Sequence, residues 1–135
     1  MSTGAAEVLA LLDAIPNHTT HDGKVPDDAV APYTLVYLTV VTPSGERAPE
    51  AVDLTFNSDV IDLSIYTHNV GNNAAAARAV QAKVRLALLN VRPVIAGRKC
   101  FPIRFYDDAP AIKDETTGKL IMDLADVYRL RSVPA

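Results

Sequence analysis

Four apolar residues, Val8, Leu11, Leu12 and Ile15, recur at helical spacing in "GAAEVLALLDAIP" and lay a single apolar stripe along a helix. Thr3 or Gly4 can cap its start. With Gly4 in that place, Glu7 sits near the free N–H groups and the positive end of the helix dipole, and Pro16 ends the helix. "NHTTHDGKVPDDAVAP" has no period of either kind and many turn formers, which predicts a surface loop. "PYTLVYLTVV" (32–41) is almost wholly β-branched, aromatic or leucine, apolar on both faces, and predicts a central strand.

"PSGE" (43–46) predicts a turn, and "AVDLTFNSDVIDLSIYTHNV" two strand-like pieces around Asn57, Ser58 and Asp59. In the second piece Ile61, Leu63 and Ile65 alternate with Asp62, Ser64 and Tyr66, so one face is buried and one open. A helix capped by Asn72 or Asn73 then runs to about Leu89, ahead of Asn90 and Pro93. Val80, Val84, Ala87 and Leu88, with Ala76 and Ala77, form its buried side, and Arg78, Gln81 and Arg85 line another. Its small alanines permit close approach to a sheet. "CFPIRFY" (100–106) and "IMDLADVYRLRSV" (121–133) predict two more strands, joined by "DDAPAIKDETTGK" with a turn at Thr117 and Gly118. The order helix, strands, helix, strands predicts an α+β fold, a single mostly antiparallel sheet with two main helices packed on it.

Length and composition narrow this picture. The 135 residues fit one domain, 1–135, and a hydrophobic share of 49% against 21% charged describes a folded globule with apolar surface to spare. A net charge of −3 provides no field for duplex DNA. Cys100 is the sole cysteine, so no intrachain disulfide forms. No apolar run approaches a membrane span and the start carries Glu7 where a signal peptide would be basic, so the chain is expected to be soluble and unprocessed.

Candidate chemistry is sparse. "HNVGNN" could bind an anion at a helix start, yet it has one glycine where dinucleotide and P-loop motifs need several; the better reading is a turn at Gly71 and a cap from Asn72 or Asn73. His18, His21 and Asp22 are spaced like metal ligands but lie in a predicted loop with no further ligand set, and no metal or other cofactor is expected. His68 lacks a framed nucleophile, and Cys100 reads as a small core residue. The acidic pairs Asp27 and Asp28, Asp107 and Asp108, and Asp114 and Glu115 lie in loops, where carboxylates stay hydrated. The one local charge cluster is basic: Arg78, Lys83 and Arg85, with Arg92, Arg98 and Lys99 beyond. It is either a solvated face or a surface for an acidic partner.

Four segments, "AAEVLALLDAIP", "VPDDAVAPYTLVYL", "THNVGNNAAAARAVQAKVRLALLNVRPVIAGRKC" and "DETTGKLIMDLADVYRL", carry a resemblance that spans nearly the whole chain. Through them, the third above all, the chain resembles the tail terminator proteins of long-tailed bacteriophages, particularly those infecting actinobacteria. The resemblance implies a small α+β subunit that closes into a sixfold ring at the finished end of the tail tube. That ring stops tube polymerisation, presents a surface to the head completion or stopper protein, and lets the genome pass through its lumen without specific binding. It implies no catalytic residue, a place in the tail or neck of the virion, and assembly in the host cytoplasm. A closed ring needs two different complementary patches per subunit. The expected pair is the basic helix residues Arg78, Gln81, Lys83 and Arg85 against an acidic Asp107, Asp108, Asp114 and Glu115 on the next copy. Two other readings remain: a head-tail connector or stopper subunit, and a small hydrolase or anion-binding domain using the turn from His68 to Asn73.

Overall fold

A computed structural model describes residues 3–41, 60–108, 112–114 and 121–135, with the side chains of 107, 108, 112–114 and 121 outside that description. The turn at 43–46, the first strand-like piece before Asn57 and the turn at Thr117 and Gly118 fall outside the described residues. Two helices and seven strands follow in order: α1 (Ala5–Asp13), β1 (Thr20–Asp22), β2 (Tyr33–Val41), β3 (Ile61–Gly71), α2 (Ala74–Leu88), β4 (Arg98–Cys100), β5 (Arg104–Asp108), β6 (Ile112–Asp114) and β7 (Ile121–Pro134). The expected α+β class holds. The strands form one sheet in the order β1-β2-β3-β7-β4, with β5 and β6 also pairing along β7. Every pairing is antiparallel except β1 with β2.

Alternation decides which side of each strand is covered. Leu63 and Ile65 of β3 point to the same face as Tyr128 and Leu130 of β7, and onto this face pack Val8 and Leu12 of α1 and Val84 and Leu88 of α2. Both helices therefore cover one side of the sheet, and among the described residues no helix covers the other. The predicted stripe on α1 is realised, with Val8 and Leu12 fully buried and Leu11 and Ile15 packed against the core. Gly4 is its N-cap, at φ +97°, a left-handed conformation that glycine adopts without strain, and its carbonyl accepts from Val8 N at 3.0 Å.

Four expectations change. Asp107, Asp108 and Asp114, read as loop, belong to β5 and β6 because both segments pair antiparallel with β7. Thr20–Asp22, read as loop, forms β1 because three residues beside Thr34, Leu35 and Val36 pair in parallel. Strand β2 is consequently not central along its length: beyond Val36 it has no described neighbour on that side, and Tyr37 and Val40 are exposed. The stretch 100–106 is two strands rather than one. Pro102 has no N–H to offer, and Ile103 turns its own N–H to the carbonyl of Val91 at 2.8 Å instead of to β7.

Candidate functional site

The junction of β3 with α2 behaves as a structural corner. Asn73 Oδ1 accepts the Ala76 N–H at 2.8 Å and caps α2, whereas Asn72 is exposed. Gly71 is required for a different reason from the one expected. Its φ is not positive; instead a Cβ there would meet Ala77 N at 2.4 Å and the Ala76 carbonyl carbon at 2.7 Å, so only a bare Cα lets the first turn of α2 sit on the strand end. His68, at the start of that corner, holds Asp123 Oδ2 through Nδ1 at 2.7 Å and lies against Tyr66 and Tyr37 on the open face.

His18 is drawn into the fold rather than left in solvent. The Thr34 hydroxyl donates to Asn69 Oδ1 at 3.2 Å, so its oxygen is left to accept from His18 Nε2 at 2.8 Å, and Asn69 Nδ2 donates onward to the Leu124 carbonyl. This chain crosses from the loop through β2 and β3 to β7. Burial, and behind it the Lys83 ammonium, hold the His18 pKa below its ordinary value. His21 turns the other way and meets the Tyr33 ring edge-on. Among the described residues no cluster of three His, Cys, Asp or Glu side chains is arranged to hold a metal. Cys100 is a buried core thiol, as expected, and desolvation raises its pKa.

The basic set on α2 divides. Arg78 and Lys83 are exposed, but Gln81 and Arg85 reach back to the carboxylate of Asp126, which is fully buried on the helix-covered face. Gln81 Nε2 donates to it at 3.1 Å and Arg85 through Nε and Nη2 at 3.3 Å each. The bond to Asp126 raises the Arg85 pKa, and the guanidinium also lies 5.0 Å from the centre of the Phe105 ring. Burial, then the neighbouring Asp126, push the Tyr128 phenol well above its ordinary range. Arg98 also leaves the surface cluster: it is buried, donating to the Ser132 hydroxyl and carbonyl at 2.9 Å each. Asp107, Asp108 and Asp114 are placed only as backbone in β5 and β6, and Glu115 lies outside the described residues.

Two concave surfaces remain. Leu11, Ile15 and Ala87 line an apolar groove of about 560 Å³ between the helices, beside Lys83 and Leu86. The second, of about 430 Å³, lies where the open face meets the β4–β5 edge, and it carries Arg104, Arg129, Arg131, Asp62, Phe101 and Tyr106. Arg131 grips Asp62 with two bonds, at 2.7 and 2.9 Å, and the bond to Asp62 raises its pKa. A register shift between Phe105 and Asp107 inserts Tyr106 as an extra residue, and the Arg129 guanidinium stacks over its ring at 4.0 Å.

A chain in the virion of a native gene transfer agent particle has the same fold. It superposes with a TM-score of 0.56 at 20% sequence identity, over 95% of this chain and 85% of that one. No protein-family model and no curated protein matches the sequence. At that identity the likeness is one of fold.

The sequence reading missed the pairings made by Asp126, Asp62 and Asp123, and the groove arginines. Part of the signal was present. In "DVYRLRS" the alternation that sends Tyr128 and Leu130 inward also sends Asp126 inward and Arg129 and Arg131 outward. Which groups meet them depends on segments distant in the chain: Asp126 meets Arg85 of α2, 41 residues away, and Arg131 meets Asp62 of β3, 69 residues away.

Proposed function

We propose that this chain is a virion structural subunit, a tail terminator that closes into a ring of six on the head-proximal end of a tail tube, stops the tube growing, and presents the surface on which head and tail join. The observation that carries this reading is the fold likeness to a chain of the gene transfer agent virion across 95% of the present chain, together with the sequence resemblance to terminators. Its partners are copies of itself, the tube protein below and the head completion protein above. The mild net negative charge suits a conduit through which duplex DNA slides without being held. In this reading the work is done by matched surfaces, and the turn after His68 is closed by the Asn73 cap. Arg78 and Lys83, exposed on α2, remain candidates for contact with a neighbour, as do Asp107, Asp108, Asp114 and Glu115.

Negative-stain images and mass photometry of the purified chain are expected to give rings of a single size. Cryo-electron microscopy of particles carrying a labelled copy should then place the chain on the last tube ring. Placement on the head side of the junction would make it a connector or stopper, and a chain that stays monomeric at high concentration would reject the reading.

A further inference from the structure

Among the described side chains, the two lateral edges of the sheet carry opposite charge; Asp107 and Asp108, on the same strand as Arg104, are placed there as backbone alone. At one edge, the loop 23–32 between β1 and β2, together with Asp22, presents Asp22, Asp27 and Asp28, all exposed, against a single Lys24; it also holds Val30 with 77% of its surface in solvent. At the other edge, three guanidinium groups, Arg104, Arg129 and Arg131, face one carboxylate, Asp62, in the groove beside β5, with Phe101 and Tyr106 exposed at its rim. One edge is an acidic loop with an exposed valine. The other is a concave basic groove with an aromatic rim.

We propose that these two edges are the halves of one contact between successive copies of this chain: the loop 23–32 of one copy seats in the arginine groove of the next. The inference rests on the ring reading above and names its surfaces. Patches on opposite edges that fit each other, and not themselves, produce a head-to-tail contact, the kind from which rings are built. Arg104 is exposed, and the buried Arg129 Nε has no hydrogen-bond partner among the described residues, so the groove has donors to spare for the carboxylates of Asp27 and Asp28. Val30 supplies the apolar contact for Phe101 and Tyr106, and the outer edge of β5, which pairs only with β7 among the described strands, lies open beside the groove. Duplex DNA fits this groove less well. Affinity for a polyphosphate grows with the number of phosphates neutralised, and three arginines, one of them already paired with Asp62, in a chain of net charge −3 offer few.

The test is a charge swap. One variant carries Arg104→Glu and Arg129→Glu, the other Asp27→Lys and Asp28→Lys. Each alone is expected to fold, by circular dichroism and melting, and to need a concentration about tenfold or more higher for half-assembly. Mixing the two is expected to restore rings, because every groove then faces a loop of opposite sign; the chain bearing all four changes should do the same. If the double groove variant fails to fold, Arg104→Glu alone, at an exposed position, takes its place. Variants that assemble like the unaltered chain, or a mixture that does not recover, would overturn this contact while leaving the ring intact. An unaltered chain that never assembles removes the ring and this contact together. Retained assembly with loss of duplex DNA binding in the groove variant would assign the groove to phosphate instead and overturn the proposal.

Discussion

Gly71 shows how a single residue can be legible in kind and misread in cause. A glycine ahead of an asparagine cap suggests a turn angle, but the backbone there is ordinary, and the missing atom matters because α2 begins within 2.4 Å of where it would be. Gly71→Ala should therefore cost about 1–3 kcal/mol through forced movement of α2, not through backbone strain, and the midpoint of urea unfolding will measure it. His18 makes a second residue-scale prediction. Its pKa is lower in the folded chain than the ordinary histidine value of 6.5, so the unfolded chain binds more protons as the solution acidifies. This contribution to stability is full above pH 6.5 and is lost as the pH falls below that value towards the folded pKa. Melting temperatures followed from about pH 8 to about pH 5 should fall more steeply for the native chain than for His18→Gln, which keeps a donor to Thr34 but cannot gain a proton. Equal slopes would remove His18 from the account.

At the scale of elements, α2 is held to the sheet by apolar burial along Ala77, Val80, Val84 and Leu88 and by a polar tie to β7 at Asp126. The helix, its cap and most of its buried side can be read from periodicity. The tie cannot, because Gln81 and Arg85 have the spacing of a solvated face and Asp126 lies forty-one residues beyond Arg85. Asp126→Ala leaves a glutamine, a guanidinium and the Tyr128 hydroxyl without their acceptor. With Arg85 still 43% exposed, the loss should be about 2–3 kcal/mol, below that of a fully buried pair. Arg85→Glu should destabilise more, since a second carboxylate would then face Asp126, whereas Arg78→Glu on the exposed side should change stability by no more than about 0.5 kcal/mol. Guanidinium chloride unfolding of the three variants checks the order. Arg78→Glu is accordingly the clean probe of α2 as a contact surface, and Arg85→Glu reports on folding.

For the whole molecule, one sheet with its described helices on a single side leaves, among the described residues, an uncovered face and two unlike edges, the surfaces on which the proposed assembly relies. Their charges set the salt dependence of association: contacts through Asp27, Asp28, Arg104 and Arg129 weaken as ionic strength rises, whereas the intramolecular core is little affected. The hydrophobic pattern by itself determined the helices, the buried parity of β3 and the α+β class, because each follows from the local period of the chain. Only the tertiary structure decided that Thr20–Asp22 is a strand, that β2 has no described neighbour on its β1 side beyond Val36, that Arg98 is internal, and that Arg104, Arg129 and Arg131 share a groove. Each of those facts depends on which distant segments become neighbours, and side-chain alternation specifies the face a residue occupies but not the partner it meets there.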